Sequence, residues 1–209
     1  MPGKSLIITP VEAPVREQSF DLYATLIDSL NAAEIALREG DVLAVSSKYV
    51  AISEGNVVRL EDVVVTPEAE RIAERYQMNP RTAQLVLNEA DHVFGGIPGF
   101  LLTHKDGIIS PNAGIDRSNI PMGFAVLFPR DPYASAARLR DFIRERFGVR
   151  IGVILTDSWL MPGRNGTTGV ALASAGFVPV QDERGKADLF GNPLIVTQRG
   201  IADQLCAAA

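Results

Sequence analysis

Short β-branched runs alternate along the chain with longer stretches in which apolar residues recur at helical spacing, a pattern that predicts an α/β fold of mixed sheets in one compact body. "SLIIT" (5–9) and "DVLAVSS" (41–47) read as strands flanking a helix, "SFDLYATLIDSLNAAEIAL", which "REGD" closes at Gly40. Together they predict one β-α-β unit. Two helices follow "NVVRLEDVVV": Thr66 stands as an N-cap before Pro67, and Asn79 before Pro80 opens "RTAQLVLNEA". They predict a helical subdomain inserted over about 64–92. "FLLTHKDGIIS" predicts a hairpin turning at Asp106-Gly107, because Asp-Gly supplies the positive φ angles of a tight turn. "DPYASAARLRDFIRERFG" places Asp131, Pro132 and Gly148 where a helix starts and stops, and it feeds the apolar strand "RIGVILTDS". The last segment, "GIADQLCAAA", begins as an amphipathic helix with Ile201, Leu205 and Cys206 on one face. It reaches its final alanines with no capping residue, the pattern of an interrupted helix.

One stretch breaks the alternation. "PNAGIDRSN" (111–119) sets Asn112, Asp116, Arg117, Ser118 and Asn119 between runs that read as packed strands, "GFLLTHKDGIIS" and "GFAVLFP". A surface turn accounts for that composition as well as a binding loop does.

Bulk properties narrow the function. The 209 residues are 46% hydrophobic and 22% charged, ordinary for a globular protein, so one domain over 1–209 is the expectation. A net charge of −5 without a basic stripe argues against a nucleic-acid partner. No apolar run approaches the roughly 18 residues that span a bilayer, and "MPGKSLIITP" is not a signal peptide. With Cys206 as the single cysteine, no internal disulfide can form, and the cytoplasm is the expected compartment.

Several residues could carry chemistry. Asp157 closes an apolar strand, where open α/β sheets place ligands, although a helix cap or turn aspartate looks the same in sequence. "GRNGTTG" (163–169) could wrap an anion with backbone N–H groups, but it lacks the ending of a phosphate-binding P-loop. Asp116 and Asp157 together suit magnesium or manganese, with Ser158 as a hydroxyl ligand. Asn119 offers an amide to a base or phosphate, and Ser46, Ser47 and Lys48 cluster at a strand end. His92 and His104 have no partner at metal spacing and read as structural or surface residues. Cys206 reads as a small buried hydrophobe, and 184–193 as a charged turn.

"EGDVLAVSSKYVAISEGNVV", "NAGIDRSN", "GVILTDS" followed by "GRNGTTGVALASAGF", and "RGKADLFGNPLIVTQRGIADQL" occur in the order and spacing of the coenzyme F420-0:gamma-glutamyl ligase family, which the chain resembles from about residue 6 to 209. The resemblance implies an enzyme that activates a carboxylate of a deazaflavin precursor with GTP and a divalent metal, then lets the amine of L-glutamate attack. It implies Asp116, Asp157 and Ser158 as metal ligands, Ser158 standing where the family has threonine. It implies Asn119, Ser46 or Ser47, and the turn Glu12, Ala13, Pro14 and Val15 as nucleotide contacts, and a homodimer. Three positions depart from the family's pattern. Ile52 stands where the family has lysine, with Lys48 nearby instead, and Ala13 replaces a glycine. The family also continues past the equivalent of residue 209 into a "GE...P" segment with a metal-binding glutamate, so residues 1–209 are expected to hold only part of the site. The alternatives are a nucleotide- and metal-binding homologue without ligation, and a ligase acting on a different carboxylate.

Overall fold

The structure, a computed structural model, describes residues 5–160 and 165–209. Along the chain run α1 (Leu22–Ala32), β1 (Val42–Ser46), α2 (Ser47–Ser53), β2 (Val57–Arg59), α3 (Pro67–Arg75), α4 (Pro80–Glu89), β3 (His92–Ile97), β4 (Phe100–Lys105), β5 (Ile108–Pro111), β6 (Phe124–Val126), α5 (Pro132–Phe147), β7 (Gly152–Leu160), β8 (Thr167–Ala175), β9 (Val180–Asp182), β10 (Gln198–Gly200) and α6 (Ile201–Ala208). This is a mixed α/β fold built from several small sheets.

The run "GVIL" is apolar at every position because β7 is covered on both faces. It lies between β1, to which it is parallel, and β8, to which it is antiparallel. Val153 and Leu155 join Leu22 and Leu26 of α1 and Leu139 and Ile143 of α5 in the main core. Ile154 faces the other way, onto Ala202 and Cys206 of α6. Burial pushes the Cys206 thiol up to about 11, with the Asp203 carboxylate adding to the shift, so it behaves as the small hydrophobe expected. Gly169 lets α6 approach β8: a Cβ there would stand 2.4 Å from the Cys206 carbonyl oxygen. A second core gathers Leu85 and Val86 of α4 against Leu101 of β4, with Ala113, Ile115 and Ala125. There β3, β4 and β5 form an antiparallel meander. Helices α3 and α4 meet through Ala69, Ala73 and Ala83.

The punctuation residues act as their chemistry predicts. The side chains of Thr66, Asn79 and Asp131 accept from backbone N–H groups of α3, α4 and α5, and Gly148 ends α5 at φ 71°. Asp106 and Gly107 turn the β4–β5 hairpin at φ 50° and 81°.

Two expectations are overturned, and a third falls partly outside the described residues. Residues 5–9 form no strand, and Leu6 and Ile7 are 64% and 82% exposed. The β-α-β unit is therefore absent, and the parallel partner of β1 is the distant β7, Val42 standing opposite Gly152. Helix α1 stops at Ala32, because Glu34 turns left-handed at φ 55° and the Ile35 N–H bonds Leu30 O, leaving Gly40 to make the later turn into β1. Of the glycine-rich "GRNGTTG", Gly163 and Arg164 lie outside the described residues. Thr167 to Gly169 are paired strand, because β8 continues the hairpin with β7 to its end.

Candidate functional site

The polar stretch divides into a buried frame and an exposed tip. Asn112, Ala113 and Gly114 are successively left-handed at φ 51°, 52° and 75°. Such a conformation costs a non-glycine residue about 1–2 kcal/mol, so three in a row persist only where the surroundings enforce them. Here they do. Asn112 Oδ1 accepts from the Leu101 N–H at 2.8 Å, and the Ala113 N–H donates to Thr103 Oγ1 at 2.8 Å. Thr103 in turn donates to Ser110 O at 2.7 Å. Gly114 lies against Phe128, whose ring atoms would stand 2.1 Å from an added Cβ. The surface-turn reading fails for this half, since Asn112, Ala113 and Ile115 are buried.

The frame presents Asp116. Its backbone pairs with Val126, beyond the end of the frame. Its Oδ1 accepts from the Ser118 N–H at 2.7 Å, and its Oδ2 meets the Lys48 Nζ at 2.5 Å. Lys48 also donates to Ser118 O and Oγ, both at 2.9 Å. Burial pushes the Asp116 carboxyl up, but the Lys48 ammonium and Ser118 outweigh it, and the group lies below the usual carboxylate range. With Asp116 37% exposed, the ion pair contributes at most about 1 kcal/mol to stability, so its interest is where it puts charge.

Asp157 approaches the same place from β7. Ser46 stands opposite Thr156 in the β1–β7 ladder, so Asp157 follows directly beside the residues that open α2. Its Oδ1 accepts from the Ser158 N–H at 2.8 Å and its Oδ2 from Trp159 Nε1 at 3.1 Å. Burial pushes this carboxyl up. Ser158 and Trp159 oppose that rise, the negative charge of Asp116 adds to it, and Lys48 reduces it. Two carboxylates near enough to repel across a lysine form an all-oxygen donor pair whose strain a hard divalent cation relieves, so these residues fit magnesium or manganese. Among the described residues, no group of three or more His, Cys, Asp or Glu side chains is gathered for a metal.

The remaining expected contacts are placed unevenly. Ser47 is buried, Ser46 is exposed, and both lie where β1 runs into α2. Glu12, Ala13, Pro14 and Val15 are exposed, and Pro14 O accepts from the Tyr49 hydroxyl at 2.8 Å, which ties that segment to the residue after Lys48. Asn119 is exposed at the tip and left-handed at φ 49°. Ser158 is exposed and touches Asp157 through its backbone N–H. Ile52 is 3% exposed, packed with Ala51 and Val126, so the cation on this helix is Lys48, one turn earlier. His92 and His104 sit opposite each other on β3 and β4, with His104 Nδ1 3.4 Å from Asp91.

Sequence reasoning missed Trp159 and Tyr49. Trp159 lies two residues past Asp157 and so shares its face of the strand, a signal that was available. The bond from Tyr49 to Pro14 depends on an irregular segment and left no periodic trace.

The family model for F420-0:gamma-glutamyl ligase matches residues 10–209. The chain is 37% identical over 206 residues to the coenzyme F420:L-glutamate ligase of Methanopyrus kandleri, covering 98% of this chain and 80% of that one. It is also 37% identical to the protein of that name from Archaeoglobus fulgidus, over 97% of this chain and 80% of that one. The Haloarcula marismortui protein is 40% identical over 83% of this chain and 70% of its own. With the match running through β1, the Asn112–Asn119 loop, β7 and the arm between β9 and β10, this chain belongs to the F420-0:gamma-glutamyl ligase family.

Proposed function

We propose that this protein joins the amino group of L-glutamate to a carboxylate of a deazaflavin precursor, coenzyme F420-0, at the expense of GTP and with a divalent metal. The observation that carries this reading is that Asp116 pairs with Lys48 while Asp157, following the β1–β7 ladder beside the residues that open α2, lies near enough to feel both charges. In the reaction, a carboxylate oxygen of the precursor attacks the γ-phosphorus of GTP and GDP departs, leaving an acyl phosphate. The glutamate amine then attacks the acyl carbon, phosphate departs with the bonding pair, and the amine's proton passes to water. Magnesium or manganese on Asp116 and Asp157, with Ser158 as a further ligand, would supply charge neutralisation at the phosphate oxygens.

The chain's own groups place the reactants. Asp116 is held in one orientation by Ser118 and the strained frame behind it, and Asp157 by Trp159. Ser46, Ser47 and the Glu12–Val15 segment flank Lys48, and Asn119 offers its amide from the tip, which supports a nucleotide lying across them. The working unit is a homodimer in the cytoplasm, and Leu189 and Phe190, 98% and 89% exposed on the arm, are surface that a second copy would cover. Among the described residues no helix is long and apolar enough to cross a membrane.

Incubating the chain with GTP, manganese, L-glutamate and the precursor tests the reading. A product heavier by one glutamyl residue, together with GDP and phosphate, is the expected result. Binding of GTP and manganese without any product would instead favour a homologue that has lost ligation. GTP hydrolysis dependent on another carboxylic acid would move the acceptor.

A further inference from the structure

We propose, building on the metal reading above, that Lys48 is a resident counter-ion: a divalent cation must displace it from Asp116, and the freed ammonium then serves the nucleotide's polyphosphate. Its three acceptors, Asp116 Oδ2, Ser118 O and Ser118 Oγ, match the three N–H bonds an ammonium can donate, so the group is fully satisfied inside the loop. Both oxygens of Asp116 are engaged as well, one by Lys48 and the other by the Ser118 N–H. A metal on Oδ2 cannot share that oxygen with an ammonium 2.5 Å away without strong cation–cation repulsion. One of the two must leave, and the lysine stem is flexible.

The direction it can take is set by its neighbours. Tyr49, next on α2, holds Pro14, and Ser46 and Ser47 precede it, so Lys48 is rooted among the residues offered to the nucleotide. Ile52, one turn on, is sealed in the core and cannot substitute for it. The same side chain therefore opposes a metal arriving alone and supports a nucleotide, which gives its removal opposite effects on the two ligands. A lysine that only braced the loop would weaken both when lost.

Calorimetric titration of the full chain separates the cases, using manganese without nucleotide and then GTP in the presence of saturating manganese, for the parent, Lys48→Met and Lys48→Gln. Manganese affinity is expected to rise about tenfold in both variants while GTP affinity falls about tenfold, each shift equivalent to about 1.4 kcal/mol. Should Lys48→Met fail to fold, Lys48→Gln, which can still donate two hydrogen bonds without the charge, carries the measurement. Manganese binding that is unchanged or weaker in the folded variants overturns the counter-ion role alone. A parent chain that binds no manganese overturns the metal reading, and this inference with it.

Discussion

In the loop from Asn112 to Asn119 most side-chain hydrogen bonds leave the segment, whereas in the arm between β9 and β10 they return to it. Asn112 and Ala113 bond to β4, Ser118 accepts from Lys48 seventy positions earlier, and Arg117 Nη1 donates to Thr82 of α4 at 3.3 Å. In the arm, Arg184 closes on Asp182, Lys186 and Arg199 close on Glu183, and Asp188 accepts from Phe190 and Asn192. Both segments read in sequence as polar turns. The first is a loop whose shape is dictated by distant strands, and the second dictates its own shape and presents Leu189 and Phe190 outward. Long-range bonds fix an acidic group against deformation, which a site for a divalent ion needs. Local bonds give a stiff projection suited to contact.

The glycines of the two segments provide the sharpest test. Gly114→Ala meets both the Phe128 ring and a φ of 75°, and overpacking plus strain should cost at least about 3 kcal/mol. Gly191→Ala in the arm meets only its φ of 86°, with nothing within 4 Å, and should cost about 1 kcal/mol. Urea melts of the two variants measure the gap, and equal losses would mean that the loop is no more constrained than the arm.

Asp157, which faces the loop from β7, and Asp182 of the arm should respond to pH with opposite sign. Asp157, raised in the folded chain, binds its proton more tightly folded than unfolded. Its favourable contribution is complete below the ordinary value of 3.8 and is lost as pH rises through the folded value, so at neutral pH its charge is a cost. Asp157→Asn should therefore raise the melting temperature at pH 7, by about 2–4 °C for each kcal/mol relieved, and the gain should vanish below pH 3.8. Asp182, held down at about 2 by Arg184, contributes above its unfolded value and loses that as pH falls through about 2, so Asp182→Asn should give no such gain at pH 7. A melting curve for Asp157→Asn that is lower than the parent's at neutral pH would remove the argument that burial, with the charge of Asp116 adding to it, makes the Asp157 carboxylate a cost. The smallest expected effect is at Asn119. Its φ of 49° confounds an alanine substitution, so Asn119→Gly, which keeps the backbone, is the cleaner change. Loss of one nucleotide hydrogen bond should lower GTP affinity by about 1 kcal/mol with little change in melting. Unchanged GTP binding would return Asn119 to a turn role.

What could be read in advance follows from the range of the forces involved. Helix caps at Thr66, Asn79 and Asp131 and the Asp106-Gly107 turn are local chemistry and stood plainly in the sequence. The strand expected at 5–9 failed because apolar, β-branched composition reports a capacity to pair, while the partner is a tertiary matter. For the same reason β1 was given the wrong parallel neighbour. In the site, Asp116, Asp157 and Lys48 were singled out as residues, but their mutual engagement was not legible. Lys48 stood in the sequence only as part of a cluster at a strand end, because its acceptors lie across the fold. The left-handed run from Asn112 to Gly114 was hidden as well, since Ala113 at its centre is a residue that does not favour such a conformation.

The pairing of β1 with β7 also orders events in time. The bond from Thr156 Oγ1 to Val45 O spans 111 residues, and contacts of such separation slow folding much more than they burden stability. During synthesis, the lysine and its aspartate emerge and can close on each other well before Asp157 exists, while the wall that receives α1 and α5 waits for β7. Docking of β7 thus brings Val153 and Leu155 into the hydrophobic interior and delivers the second carboxylate in the same closure. A nascent chain can form its internal ion pair first, and it has no second carboxylate to hold a divalent ion until β7 has been made.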